Sequence, residues 1–214
     1  MKTGLPLILF CIGSLLAEPS AAQPYFEDVT QETIGIVPFN PVPIAFWDYN
    51  NDGSPDLFLG DGGGFSGLIR GATFSLLHNP GKGRFASHNA RLPATIAHQA
   101  ALGDGVAFGD YDNDGDPDLF LTIGSVISSA PDLLLRNDRG RFSEVSAAAG
   151  LREGMPTDNA IWLDYDRDGH LDLYAGHWSL DGSPGLRNRL WRNKGDGTDR
   201  IAYFGPLRVR LFAV

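Results

Sequence analysis

The chain has 214 residues, 43% of them hydrophobic and 11% aromatic, enough apolar surface for a globular core and too much for a disordered tail. A formal charge of −9, with no Lys/Arg-rich stripe, excludes the electrostatic footprint of a nucleic-acid-binding protein. The 27 glycines and 14 prolines point to many short strands joined by turns.

Residues 1–22 read as an export signal: Lys2 is the charged start, Leu5 to Leu16 the apolar stretch, and Ser20-Ala21-Ala22 a small-residue site with cleavage after Ala22. That apolar stretch is broken by Pro6 and Gly13 and followed by Glu18, too short to cross a bilayer, and no later segment is long enough, so no membrane span is expected. Phe10 before Cys11 is a poor match to a lipoprotein cleavage box, which argues against a lipid anchor. Cys11 is the single cysteine, so the mature chain has neither a disulfide framework nor a thiol nucleophile. The product is expected to be secreted or periplasmic.

After the signal, residues 23–198 read as propeller repeats: Tyr25 to Thr30 as a lone outer strand, then two full four-stranded units and most of a third. The first unit is Ile44 to Trp47, Leu57 to Leu59, Phe74 to His78 and Arg84 to Ser87. The second is Gly105 to Gly109, Leu119 to Ile123, Asp132 to Asn137 and Arg141 to Val145. The third supplies Ala160 to Leu163, Leu173 to Ala175 and Arg189 to Arg192. Residues 199–214 fit no repeat; they read as a divergent tail, a truncated or frameshifted end, or a divergent last strand.

Between the first and second strands of each unit stands the pattern Asp-x-Asp/Asn-x-Asp-Gly-x-x-Asp, in AFWDYNNDGSPDLFLG, AFGDYDNDGDPDLFLT and IWLDYDRDGHLDLYAG. Its first aspartates, Asp48, Asp110 and Asp164, are 62 and 54 residues apart. Oxygens at positions 1, 3, 5 and 9, with the carbonyl of position 7, can converge on a hard cation such as calcium. The donors are Asp48, Asn50, Asp52, Ser54 (carbonyl) and Asp56 in the first loop. They are Asp110, Asp112, Asp114, Asp116 (carbonyl) and Asp118 in the second, and Asp164, Asp166, Asp168, His170 (carbonyl) and Asp172 in the third. Gly53, Gly115 and Gly169 hold position 6, where the chain turns sharply. An EF-hand needs a glutamate at position 12 and flanking helices; Leu59, Leu121 and Ala175 stand there, between strand-like segments. Plain Asx turns need only one or two such residues, and they leave the loops' 12 carboxylates without a counter-ion. About three calcium ions are therefore expected, bringing −9 to about −3.

Four short strands per unit, with Phe46, Trp47, Phe108 and Trp162 beside the loops, predict an all-β chain. It would be a partial β-propeller of about three blades in an open arc, with these aromatics packed between blades. The five histidines lack ligand spacing and read as ordinary surface or core residues. The units resemble FG-GAP or VCBS-type repeats, the calcium-loop blades of the integrin α-subunit propeller. Phe26 to Ile36 (FEDVTQETIGI) and Phe142 to Leu151 (FSEVSAAAGL) are similar to the blade-closing strand and turn of secreted proteins related to cartilage acidic protein, including bacterial ones with an ASPIC/UnbV region. The resemblance implies a calcium-stabilised, exported propeller used for adhesion or protein binding. Such families close about seven blades, and neither that number nor an ASPIC/UnbV region is present here.

No Gly-x-Ser-x-Gly elbow, His-Glu-x-x-His zinc site or phosphate-binding glycine loop occurs, so the chain is expected to be a non-enzymatic module for a protein or glycan partner. A propeller hydrolase or lyase acting on polysaccharide, and a fragment of a longer propeller protein with no independent role, are the alternatives. Self-association through open blade faces is a further expectation.

Overall fold

The computed structural model describes residues 26–35, 41–61, 74–96, 103–123, 131–151, 157–177, 188–195 and 201–206; the export signal read in residues 1–22 lies outside them. Three four-stranded antiparallel sheets follow one another along the chain, each a simple meander. The first blade is β1 (Pro41–Trp47), β2 (Asp56–Asp61), β3 (Phe74–His78) and β4 (Ala86–Ser87). The second is β5 (Gly103–Gly109), β6 (Asp118–Ile123), β7 (Leu133–Asp138) and β8 (Arg141–Glu144). The third is β9 (Thr157–Leu163), β10 (Asp172–His177), β11 (Arg189–Asn193) and β12 (Ile201–Pro206). This is the partial β-propeller that the repeats predict.

One strand expectation needs correction. Residues 26–29 form no strand, and a helical turn, α1 (Thr30–Thr33), follows them. The counterpart at Phe142 has β7 beside it to complete a ladder (Asn137 opposite Phe142), whereas Phe26 is 92% exposed. The following turn does recur: Asp28 caps the Thr30 amide as Glu144 caps that of Ser146. In the tail, the reading as a divergent last strand is the one that holds: Ile201–Pro206 supplies β12, the fourth strand of the third blade, with Trp191 opposite Tyr203 and Asn193 opposite Ile201. An edge strand is held by backbone hydrogen bonds, so it needs no motif.

The core lies between blades. β6 of the second blade is buried on both faces because that blade is sandwiched between the other two. Leu119 and Leu121 of β6 join Tyr49, Phe58, Phe74 and Leu76 of the first blade, while Phe120 between them joins Leu173, Ala175 and Trp191 of the third. Phe108 stacks on Trp47 (centroids 5.9 Å, planes 11° apart) and meets Phe58 edge-on, as Trp162 stacks on Tyr111 (5.9 Å, 11°) and meets Phe120 edge-on. A Cβ on Gly109 would lie 2.7 Å from the Trp162 ring, so only glycine lets the third blade approach this closely. Trp47, Phe108 and Trp162 thus pack between blades as expected. Phe46 does not; it is 58% exposed.

One hydrogen-bond device recurs at these contacts. Asn137 at the end of β7 donates through Nδ2 to the Tyr49 carbonyl of the preceding blade (2.7 Å) and to the Pro117 carbonyl of its own (2.9 Å). Asn193 does the same to Tyr111 (2.6 Å) and Leu171 (3.2 Å). Asn79, in the matching place of the first blade, donates to Pro55 (3.1 Å). Truncating Asn137 to alanine leaves buried carbonyls unpaired and is expected to cost about 1–3 kcal/mol, whereas Asn79→Ala costs less than about 1. Urea midpoints of the two variants measure the difference; equal losses would contradict the latch.

Candidate metal centre

Each loop begins opposite its own end. Trp47 pairs with Asp56, Gly109 with Asp118 and Leu163 with Asp172, so the position-9 aspartate opens the second strand directly across from the residue before the loop. This aspartate is buried in every copy, 1% exposed or less. Its two oxygens accept backbone amides. Asp118 Oδ2 takes the Tyr111 amide (3.0 Å) and Oδ1 the Asn137 amide (2.8 Å). Asp56 takes those of Tyr49 (3.3 Å) and Asn79 (2.7 Å), and Asp172 those of Tyr165 (3.2 Å) and Asn193 (2.8 Å).

Position 1 closes the turn from the other side. The carboxylates of Asp48, Asp110 and Asp164 each accept the amides of positions 5 and 6, at 2.8–3.1 Å. Position 5 then takes the amide of position 7: Ser54 to Asp52 (2.9 Å), Asp116 to Asp114 (2.8 Å) and His170 to Asp168 (3.0 Å). The turn passes through left-handed backbone at Asn51 (φ 56°), Asn113 (58°) and Arg167 (61°), and again at Gly53, Gly115 and Gly169.

The three loops differ in what they bring together. In the second, oxygens of Asp110, Asp112 and Asp114 all lie within 4.8 Å of one another. In the third, Asp164, Asp166 and Asp172 do so. No such group forms in the first loop among the described residues, where the Asn50 amide instead donates to Asp52 (2.9 Å). Asp118 and Asp168, expected as ligands, stand outside these groups. The side chains at position 7 face the preceding blade: Asn51 donates to the Gly115 carbonyl (2.9 Å) and to Asp116 (3.1 Å), and Asn113 to the Gly169 carbonyl (3.2 Å) and His170 (2.9 Å). Successive loops therefore touch and form one continuous row.

The expectation of carboxylates without a counter-ion is wrong for the third loop, and in the first a histidine stands beside them. Arg192 reaches Asp166 (2.7 Å) and Asp168 (3.0 Å). His78 lies 2.9 Å from Asp56 and 3.7 Å from Asp52, and stacks on His88 (4.5 Å), which meets the Tyr49 hydroxyl at 2.7 Å. In the second loop the matching Arg136 pairs with Asp138 (3.2 Å) and its charge also reaches Asp112. One signal was available in the sequence: a basic residue directly precedes the third-strand asparagine in every repeat, as His78-Asn79, Arg136-Asn137 and Arg192-Asn193.

Burial raises the Asp118 carboxyl to about 8, opposed by the Asn137 amide and reinforced by the Asp112 charge. Burial likewise raises Asp112, with the Asp114 carboxylate beside it, and Asp172. Asp52 is held down by Asn50, and Asp168 by the His170 amide and Arg192. A donor set of carboxylate oxygens suits a hard divalent cation, and one placed there would supply the positive charge these groups lack. The second loop fits best: it has the most carboxylates, three of them converging within 4.8 Å. The third fits with Arg192 in competition, and the first fits least.

A family model described as an FG-GAP-like repeat matches residues 48–121. The match starts on the first aspartate of the first loop and ends in β6, so it takes in two loops and the blade between them. Over this stretch the chain is similar to that repeat; the narrower likeness to cartilage acidic protein and ASPIC/UnbV proteins gains no support. No curated protein matches the chain.

Two measurements follow. Outside the metal set, Asp132 of the second blade accepts the Ile123 amide (2.7 Å) and the Thr157 hydroxyl of the third blade (2.7 Å), and burial raises it to about 6. Asp118 and Asp132 both have folded pKa values above the ordinary value of about 3.9, so the folded chain holds protons that the unfolded chain has lost. In metal-stripped buffer, stability is thus greatest near pH 4 and declines as pH rises through 6 toward 8. Asp132→Asn keeps both hydrogen-bond positions and removes the charge, so it should remove the Asp132 share of the decline between pH 4 and 6, up to about 3 kcal/mol, and leave that of Asp118. Urea midpoints across pH check this; a rise over that window would contradict it. Separately, Asn50→Asp should tighten metal binding at the first loop, because ligand charge helps set affinity. Calorimetric titration reads it, and weaker binding would count against the reading.

Proposed function

We propose that this chain is an exported, calcium-stabilised and non-enzymatic binding module that contacts a protein or glycan through its blades. The observation that carries the reading is the second loop, where Asp110, Asp112 and Asp114 converge within 4.8 Å in a turn already shaped by Asp110 and Gly115. Its repetition along one row of touching loops supports a shared task for the three turns. A bound cation offsets the repulsion between the carboxylates and ties the start of each blade to its second strand. Because the loop aspartates are engaged in the turn and in the metal, they are not offered as an acid–base pair. Export agrees with the signal-like start and with a mature chain that has no cysteine.

Melting the protein in millimolar calcium and in chelator tests the reading. A ligand specific to the folded state adds about 2.7 kcal/mol per site at 100 times its Kd, so calcium should raise the midpoint by several degrees. Asp112→Asn should remove most of that rise, and Asp48→Asn little of it. An unchanged midpoint in calcium removes the basis of the proposal. Hydrolysis of a polysaccharide by the purified chain would favour the enzyme reading instead.

A further inference from the structure

The alternation along the inner strands fixes which way each blade faces. In β5, Val106 and Phe108 pack toward the first blade and Ala107 toward the third. By the same parity, Trp47 of β1 faces the second blade, so Ile44 and Phe46 face away from it. In β9, Ala160 and Trp162 face the second blade and Ile161 faces away. The residues facing away are exposed: Ile44 53%, Phe46 58%, Ile161 57%, and Tyr165 of the third loop 39%; Trp47, on the side of the second blade, is 44% exposed. Leu57 and Leu59, on the Phe46 side of β2, are already covered, so the open area is the inner edge.

We propose that these two edges are complementary and join two copies of this chain head to tail. The third blade of one copy would dock on the first blade of the other in the arrangement the blades already use internally. Phe46 holds the place of Phe108 and Trp162, and Tyr165 the place of Tyr49 and Tyr111. Asn79 spends one Nδ2 hydrogen on Pro55, as Asn137 does on Pro117; the second hydrogen matches the one Asn137 gives to the Tyr49 carbonyl, and is matched here to the Tyr165 carbonyl of the neighbouring copy.

Charge makes the fit specific. At position 4 the first two loops carry Asn51 and Asn113, which reach the next loop of the same chain. The third carries Arg167, exposed and in the same left-handed conformation (φ 61°). Across the junction the same register would bring it to the Gly53 carbonyl and Ser54 of the first loop, next to the exposed Asp52 carboxylate. A head-to-tail contact closes into a ring or grows without limit. Two copies supply six blades, within the roughly four to eight of closed propellers, and a third copy exceeds that range. The account therefore commits to a two-chain ring, and it does not depend on the calcium reading.

Light scattering of the full chain over a wide concentration range, in calcium, tests this. The expected mass is that of two chains. Phe46→Glu and Ile161→Glu, both at exposed positions, should each give folded single chains that melt below the paired wild type, at a midpoint that does not change with concentration. Mixing the two variants should restore pairing, because each retains the edge the other lacks. Ile44→Lys replaces Phe46→Glu if that variant loses its fold. A single-chain mass for the wild type at every concentration overturns the proposal and assigns the edges to another occupant, such as further blades or a different protein. Pairing by either variant alone overturns it too, since an edge would then bind its own kind. Masses that grow with concentration overturn the ring.

Discussion

The fold depends on a buried carboxylate that recurs at the start of the second strand of every blade. Asp56, Asp118 and Asp172 each open a second strand and hold two backbone amides, one from the loop before it and one from the end of the third strand. A buried carboxylate is costly unless its oxygens are satisfied, and these are satisfied by backbone in all three copies. The bond to the loop sets the turn. The bond to the third strand places an asparagine whose side chain reaches the preceding blade. A single side chain thus connects local turn geometry, strand pairing within the blade and, through its neighbour, the stacking of blades.

The stacking has a direction. Asparagine amides at the ends of the third strands point back to the preceding blade, and asparagine amides in the loops point forward to the next. Phe108 and Trp162, two places before the second and third loops, lie on the blade behind. Because every contact runs from one repeat to the next, the chain behaves as a linear array in which each interface repeats the last. The same row of contacts brings the acidic loops together, so the loops' charge is concentrated along one line.

The repeats and most of the strands could be read directly from the sequence. β3 lies at Phe74–His78 as expected, and the other strands agree to within a few residues. This legibility comes from short apolar runs bounded by fixed Asp-Gly turns, where the period leaves little choice. What failed or stayed open was of another kind. Phe26–Thr30 looks like an outer strand, but pairing depends on a partner that lies elsewhere in the chain. Ile201–Pro206 matches no repeat, yet it pairs because edge strands are held by backbone groups that sequence does not display. The loop aspartates were identified as ligands by spacing, but spacing does not show which oxygens are already spent on amides. Nor does it reveal the positions of Arg192 and His78, which come from the third strand more than twenty residues away.

The central claim is that the position-9 aspartate ties loop and third strand into one cooperative unit. Native-state hydrogen exchange, read residue by residue, tests it most directly. The Tyr111 and Asn137 amides, both donated to Asp118, should exchange only with the strand amides of β6 and β7, at the same opening free energy. Exchange of the Tyr111 amide as fast as that of the exposed loop residue Asn113, while β6 stays protected, would contradict the account.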